Sequence, residues 1–126
     1  MLPLPPAIII HGPDHARLAL APARPVTLLS APGAALYAGC LWWRALITAA
    51  QTDQPDVLDC ADAPGRALEA LATGCKIVIL HPVPAWPSVA DRAAQYGATL
   101  LQSAPDALDL AQPGAARLIA AWLAPR

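Results

Sequence analysis

The chain has 126 residues, of which 56% are hydrophobic and only 13% are charged. This length is common for one domain, and so much apolar side-chain surface excludes an intrinsically disordered chain. The formal net charge is -1 and the basic residues are scattered, so the chain lacks the basic surface by which proteins bind nucleic-acid phosphates.

Proline and glycine residues divide the chain into alternating strand-like and helix-like segments. In chain order, the predicted strands cover residues 7–12, 25–31, 55–60, 76–81 and 98–103. The predicted helices cover residues 13–21, 33–52, 61–73, 87–97 and 114–124, and a short turn is expected at 106–113. The strand segments are nearly continuous apolar runs, which is typical of strands covered on both faces.

The repeated alternation of strand and helix predicts one α/β domain over residues 1–126, with no linker or internal repeat. The chain is too short for a closed eight-unit barrel of about 250 residues. We therefore predict an open, doubly wound, mainly parallel sheet of five strands with helices on both faces. The expected strand order is the flavodoxin-like 2-1-3-4-5.

The apolar segment 33–50 has a hydropathy that would suit a membrane helix, but it is short for a bilayer crossing, which needs about 20 residues. Arg44 lies in its interior, so we predict a buried or interface helix and no membrane span. The first ten residues lack the basic region of a signal peptide, and three cysteines do not make a disulfide framework. These features predict a cytoplasmic protein, and the Ala-, Arg- and Pro-rich composition with one Lys is typical of a GC-rich bacterial genome.

Trp42 and Trp43 are adjacent, so on a helix their side chains point about 100° apart and cannot both face one sheet. The rest of the helix predicted at 33–52 is apolar almost all round. These observations predict a homodimer with this helix at the interface.

Polar side chains end every predicted strand, and ligands of open parallel sheets bind outside the carboxyl ends of the strands. In the predicted order, His11, Asp59, Asp62 and His81 would lie at one edge of the sheet. His11, Asp59 and His81 are candidate catalytic residues, since a carboxylate that orients an imidazole is a common general-base arrangement. The candidate ligand-binding residues around them are Gly12, Ser30, Gly33, Asp62 and Ser103.

A structural explanation exists for each of these residues. Polar residues end strands because the chain leaves the core there, and Asp62 is a plausible N-cap of the following helix. Considered one at a time, the residues fit that explanation better, whereas two His and two Asp together exceed what helix caps require.

Sharper catalytic alternatives lack their motifs. A Ser30, Asp59 and His81 triad has the chain order of α/β-hydrolases, but the G-x-S-x-G elbow is absent. A metal site of His11, His81 and one Asp lacks the usual ligand spacing, so no metal is expected. A phosphate cradle at Gly12 or at the S-A-P-G turn lacks a G-x-G-x-x-G or P-loop motif, and the sequence indicates no particular cofactor.

The length, the fivefold alternation and the Asp that ends strand 3, in PDVLDCADAPG, resemble receiver domains of response regulators. The resemblance implies Asp59 as a phosphorylation site. However, His11-Gly12-Pro13 stands where receivers carry an acidic pair, and the single Lys, Lys76, begins strand 4 rather than following strand 5. Phosphorylation of Asp59 is therefore not expected.

Two functional hypotheses follow from the sequence. The first is a small α/β protein that binds a small polar or anionic ligand at the carboxyl ends of its strands, with His11, Asp59 and His81 available for proton transfer. The second is a non-enzymatic subunit that associates through the apolar helix. The sequence does not decide whether the protein is an enzyme.

Overall fold

A computed structural model describes residues 3–125, so Met1, Leu2 and Arg126 of the predicted domain lie outside the described residues. The strands are β1 (Ala7–Ile9), β2 (Thr27–Leu29), β3 (Asp56–Asp59), β4 (Ile77–Ile79), β5 (Thr99–Leu101) and β6 (Ala107–Asp109). The helices are α1 (Pro13–Leu20), α2 (Ala34–Tyr37), α3 (Cys40–Ala50), α4 (Pro64–Ala72), α5 (Trp86–Gln95) and α6 (Ile119–Trp122), with a 3-10 helix at Ala115–Leu118 before α6.

The six strands form one sheet in the order β5-β4-β3-β2-β1-β6, and every pairing is parallel. The predicted α/β class with a parallel sheet is confirmed. The predicted flavodoxin-like order and the count of five strands are wrong. The sixth strand, β6, falls in the segment that was predicted to be a turn, because three residues between Asp106 and Leu110 are too short to show a pattern.

The helices pack on one face of this sheet. Because right-handed crossovers between successive neighbouring strands all turn the same way, a chain that runs from β1 to β5 in spatial order keeps its helices on one side. In agreement, the larger core cluster contains side chains from all six helices and from strands, including Ile8, Leu28, Leu58 and Val78. The predicted arrangement of helices on both faces is therefore wrong.

The opposite face of the sheet is buried without any helix against it. Its core cluster consists of the strand residues Ala7, Leu29, Val57 and Ile79, each at most 1% exposed. Leu4, from the segment before β1, and further strand residues pack against this cluster, so most of this face is shielded from water by the curvature of the sheet itself. The parallel sheet thus curls around a small interior of its own.

The connection between β5 and β6 requires the same curvature. These strands are the two edges of the sheet, yet only residues 102–106 join them. In a flat sheet, five interstrand gaps of about 4.8 Å would separate the edges by about 24 Å. Six extended Cα steps reach at most about 22 Å, so the sheet bends until its first and last strands approach each other.

The helix predicted at 33–52 is two helices, because the chain breaks at Gly39, whose φ of 88° is incompatible with a helix. The second of them, α3, buries one face through Cys40, Trp43, Leu46 and Ile47, whereas Leu41 is 71% exposed. Trp43 is fully buried, and its Nε1 donates a hydrogen bond of 2.9 Å to Asp56 Oδ2. Trp42 is half-buried and packs against the same core. Over residues 3–125, no helix is both long and apolar enough to cross a bilayer.

Candidate functional site

The carboxyl ends of β1 and β6 bring an imidazole and a carboxylate together. Asp109 ends β6 directly opposite Ile9 of β1, and His11 follows Ile9 by two residues. His11 Nε2 lies 2.7 Å from Asp109 Oδ1, although the two residues are 98 positions apart in the chain. Their side chains are 34% and 27% exposed, so this contact lies at the edge of the curled sheet and faces solvent.

The electrostatics of this contact fix which nitrogen of His11 carries the proton. Burial alone would raise the pKa of Asp109, but hydrogen bonds from the Ala111 amide and from His11, with the charges of His11 and His15, lower it overall. An ionised carboxylate only accepts hydrogen bonds, so His11 Nε2 is the donor. In the neutral ring, His11 Nδ1 is therefore the acceptor nitrogen.

His15 adds a second imidazole to the site. It stands in the first turn of α1, where its Nδ1 accepts a hydrogen bond of 3.1 Å from the backbone N–H of His11. The two rings meet edge to face with centroids 5.5 Å apart. Because Nδ1 is occupied as an acceptor, the proton of the neutral ring lies on Nε2, which is a donor.

The three side chains make a compact set of complementary groups. Asp109 orients His11, His11 Nδ1 can accept a proton or a hydrogen bond, and His15 Nε2 can donate one. The nearest cation along α1, Arg17, is paired with Asp14. Within residues 3–125, no group of three or more His, Cys, Asp and Glu side chains is arranged to hold a metal ion.

Asp59 lies away from His11, contrary to the predicted order. It ends β3, and β2 separates β3 from β1. Asp59 is only 4% exposed. Its Oδ1 accepts a hydrogen bond of 2.8 Å from the Ala61 amide, and its own amide donates one of 2.9 Å to Ser30 Oγ. These bonds hold the carboxylate rigidly at the end of the strand.

His81 follows β4, which neighbours β3 as predicted, and stands two residues beyond Ile79, the sheet partner of Asp59. The backbone N–H of His81 donates a hydrogen bond of 2.8 Å to the carbonyl oxygen of Ala61. Ala61 adopts a left-handed conformation with φ of 50°, which costs free energy in a residue with a Cβ. The His81 ring is exposed and forms no side-chain hydrogen bond with the described part of the chain.

A triad of Ser30, Asp59 and His81, which the missing G-x-S-x-G elbow already disfavoured, also lacks a free nucleophile. The Ser30 hydroxyl is buried, donates to the Ala31 carbonyl oxygen, and accepts the amide of Asp59. With both roles of the hydroxyl filled by the backbone, and without an imidazole partner, Ser30 fixes the end of β2 against β3.

The other predicted ligand-binding residues are spread along the carboxyl ends. Gly12 and Gly33 occupy the positions before α1 and α2. Ser103 is exposed in the β5–β6 connection. Asp62 is exposed, but the residue before α4 is Ala63 and no side chain caps that helix, so the predicted N-cap role of Asp62 is wrong.

Sequence reasoning missed His15 and Asp109. A signal for Asp109 existed in the pattern P-D-x-L-D-x-A, which occurs at residues 55–61 and again at 105–111. In both copies the second Asp ends a strand, and its Oδ1 accepts the amide two residues later. The prediction that the chain contains no internal repeat is wrong for these segments. His15 had no comparable signal, since it depends on the turn between β1 and α1.

No known protein-family model matches the chain. No curated protein sequence is significantly similar to it.

Proposed function

We propose that the protein binds a small polar molecule at the carboxyl end of β1 and β6, with Asp109 orienting His11 as a base. The observation that carries this proposal is the 2.7 Å contact between His11 Nε2 and Asp109 Oδ1. A carboxylate that holds one imidazole nitrogen directs the other nitrogen toward a ligand and stabilises the imidazolium that forms on proton transfer.

A neutral ligand fits this site better than an anion. Asp109 is ionised and carries a negative charge beside the ligand position, and no unpaired Lys or Arg in the described chain contacts His11 or His15. A hydroxyl group can donate to His11 Nδ1 while a neighbouring oxygen of the same molecule accepts from His15 Nε2. Small hydroxylated carbonyl compounds and polyols offer both groups.

Titration with hydroxyacetone and with glycolate, followed through the imidazole signals in NMR spectra, tests the proposal. The chain has three histidines, so each signal is assigned by one His→Gln variant. We expect hydroxyacetone to shift the signals of His11 and His15 more strongly than glycolate does. Asp109→Asn should abolish this response because Asn presents no anionic acceptor to His11.

Asp106→Asn is the matched control, because it makes the same chemical change at the other end of β6. It should leave the response to hydroxyacetone intact. If neither compound moves the His11 signals, or if Asp109→Asn responds as the wild type does, the proposed site is wrong.

Self-association through α2 and α3 is a second candidate function, favoured by a different observation. Leu36, Tyr37 and Leu41 are 48%, 71% and 71% exposed, and no charged residue occurs between Arg24 and Arg44. Trp43 is fully buried, so the exposed part of the predicted interface consists of these three side chains rather than of the two tryptophans.

Light scattering of the wild type and of Leu41→Glu tests this second function. A dimer that uses the surface would dissociate in Leu41→Glu, because a buried unpaired carboxylate is strongly unfavourable. Leu118→Glu is the control, since Leu118 is also exposed at 55% but lies before α6. A wild type that is monomeric at tens of micromolar would contradict association.

We further propose that the protein works in the reducing cytoplasm of a bacterium. Three free, buried cysteines, Cys40, Cys60 and Cys75, support this location, since secreted proteins more often pair their cysteines as disulfides.

A further inference from the structure

The two halves of the sheet correspond to each other, strand by strand. The first strand of each half is an apolar run, and a histidine follows it two residues after its end, His11 after β1 and His81 after β4. The second strand of each half is Thr-Leu-Leu, at 27–29 and 99–101. Ser-Ala-Pro follows directly at 30–32 in the first half and after one additional residue, Gln102, at 103–105 in the second. The third strand of each half carries P-D-x-L-D-x-A.

The backbone hydrogen bonds repeat the same correspondence. Each of three bonds in one half has a partner at the matching position of the other half, with N···O distances between 2.8 and 3.2 Å. The bond from Thr27 N to Pro6 O matches the bond from Thr99 N to Lys76 O. The bond from Ile10 N to Leu29 O matches that from Leu80 N to Leu101 O. The bond from Cys60 N to Ile79 O matches that from Leu110 N to Ile9 O.

The correspondence gives Asp59 and His81 the same backbone register as Asp109 and His11. Asp109 pairs with Ile9, and His11 follows Ile9 by two residues. Asp59 pairs with Ile79, and His81 follows Ile79 by two residues. In parallel strands of equal register, these positions lie at the same separation at the carboxyl end of the sheet.

We propose that Asp59 and His81 form a second ligand site with the same chemistry as the first. This inference rests on the proposed function, because it takes the class of ligand, a small neutral hydroxylated compound, from the first site. Asp59 keeps one oxygen for it, since Oδ1 accepts the Ala61 amide while Oδ2 has no hydrogen-bond partner in the described chain. The exposed His81 ring turns about its side-chain bonds on a picosecond to nanosecond timescale and meets this oxygen when a ligand binds.

One difference between the halves makes the second site weaker. His15 follows His11 by four residues, and the residue four positions after His81 is Ala85, an exposed residue just before α5. The second site therefore has an acceptor nitrogen for a hydroxyl group but lacks the N–H donor that His15 supplies. Loss of one hydrogen bond of ordinary strength corresponds to binding weaker by about threefold to tenfold.

Titration of the full chain with hydroxyacetone tests the second site through the imidazole signals of His81. We expect these signals to shift with a dissociation constant larger than that read from His11. Asp59→Asn should remove the His81 response and leave that of His11, whereas Asp109→Asn should do the reverse.

The outcomes separate this inference from the proposed function. If hydroxyacetone shifts His11 but not His81, the second site is wrong and the first stands; if it shifts neither, both are wrong. If Asp59→Asn fails to fold, the carboxyl ¹³C signal of Asp59 replaces it as the readout. That signal should change between ligand-bound wild type and ligand-bound His81→Gln, and an unchanged signal would overturn the inference.

Discussion

Asp56, at the start of β3, supports the core through the hydrogen bond that its carboxylate accepts from Trp43. Its Oδ2 accepts the Nε1 hydrogen bond of the fully buried Trp43 and lies 3.5 Å from Arg44 Nη1. Burial raises the pKa of Asp56, although the Trp43 hydrogen bond and the Arg44 charge lower it in part. Because the folded-state pKa is raised, this group contributes stability below the unfolded pKa of about 3.9 and loses it as the pH rises through the folded value.

Two substitutions at Asp56 separate its hydrogen bond from its charge. Asp56→Ala leaves the Trp43 N–H without an acceptor, so we expect the free energy of unfolding at neutral pH to fall by about 1–3 kcal/mol. Asp56→Asn keeps an acceptor oxygen and removes the ionisation that burial disfavours, so its effect should be small. Chemical denaturation followed by Trp fluorescence measures both, and Asp53→Ala at an exposed position is the control. Equal losses for Ala and Asn would refute this role of the hydrogen bond.

Asp109 has the opposite pH dependence. Its folded-state pKa is lowered, so its contribution to stability is present above the unfolded pKa of about 3.9 and is lost as the pH falls through the folded value. The variant Asp109→Asn lacks this pH-dependent contribution to stability. We expect its melting temperature to decline less between about pH 7 and pH 3 than that of Asp106→Asn. Parallel curves for the two variants would show that the His11 contact contributes nothing to folding.

The residue that ends α3, Gln51, allows a test of how backbone conformation at a helix end affects stability. Gln51 closes this helix in a left-handed conformation with φ of 52°, and its side chain is exposed. Glycine is the usual residue at such a position because it has no Cβ. Gln51→Gly should therefore stabilise the protein by about 1 kcal/mol. Gly74→Ala after α4, where φ is 104° and a Cβ would meet no atom, should destabilise it by a similar amount. A loss of stability in Gln51→Gly would contradict this explanation.

Most elements were readable from the sequence because each has a local cause. The strands β1 to β5 are short apolar runs bounded by Pro, Gly or polar residues, and α1 and α4 begin at Pro13 and Pro64, where a missing N–H costs nothing. The break at Gly39 was missed because the sequence on both sides is equally apolar. The strand β6 was missed because its pairing with β1, 100 residues away in the chain, decides its conformation.

At the scale of the whole molecule, the strand order was the part that the sequence could not supply. A doubly wound sheet and a curled sheet with helices outside need the same alternating pattern and the same apolar strands, since both bury the two faces of each strand. Whether the sheet is doubly wound or curled depends on which strands pair with each other. The wrong strand order also made part of the predicted site wrong. Asp59 was expected beside His11, whereas β6 lies beside β1 and places Asp109 there. The pairing of β3 with β4, which places Asp59 opposite Ile79 and two residues before the level of His81, did not depend on that choice.

The reactivity of two buried cysteines, Cys60 and Cys75, can be used to follow unfolding of the whole molecule. Burial, with neighbouring thiols and carboxylates, raises the pKa of Cys60 to about 12, and burial, with Asp56, raises that of Cys75 to about 12. The thiolate is the reactive form, so both cysteines should resist alkylation at neutral pH until the chain unfolds. Mass spectrometry of iodoacetamide-treated protein across a denaturant series should show labelling that follows the unfolding curve. Fast labelling of either residue in native buffer would contradict the buried placement.

The orientation of the His11 ring by the Asp109 carboxylate is tested most directly by the ¹⁵N spectrum of that ring in the free protein. The spectrum is compared between the wild type, Asp109→Asn and Asp106→Asn. We expect His11 in the wild type to be held as the tautomer with its proton on Nε2, Asp106→Asn to preserve this state, and Asp109→Asn to convert the ring into a mixture of tautomers. A wild-type His11 that already exists as a mixture, or that has the same spectrum in Asp109→Asn, would show that the carboxylate does not orient the imidazole.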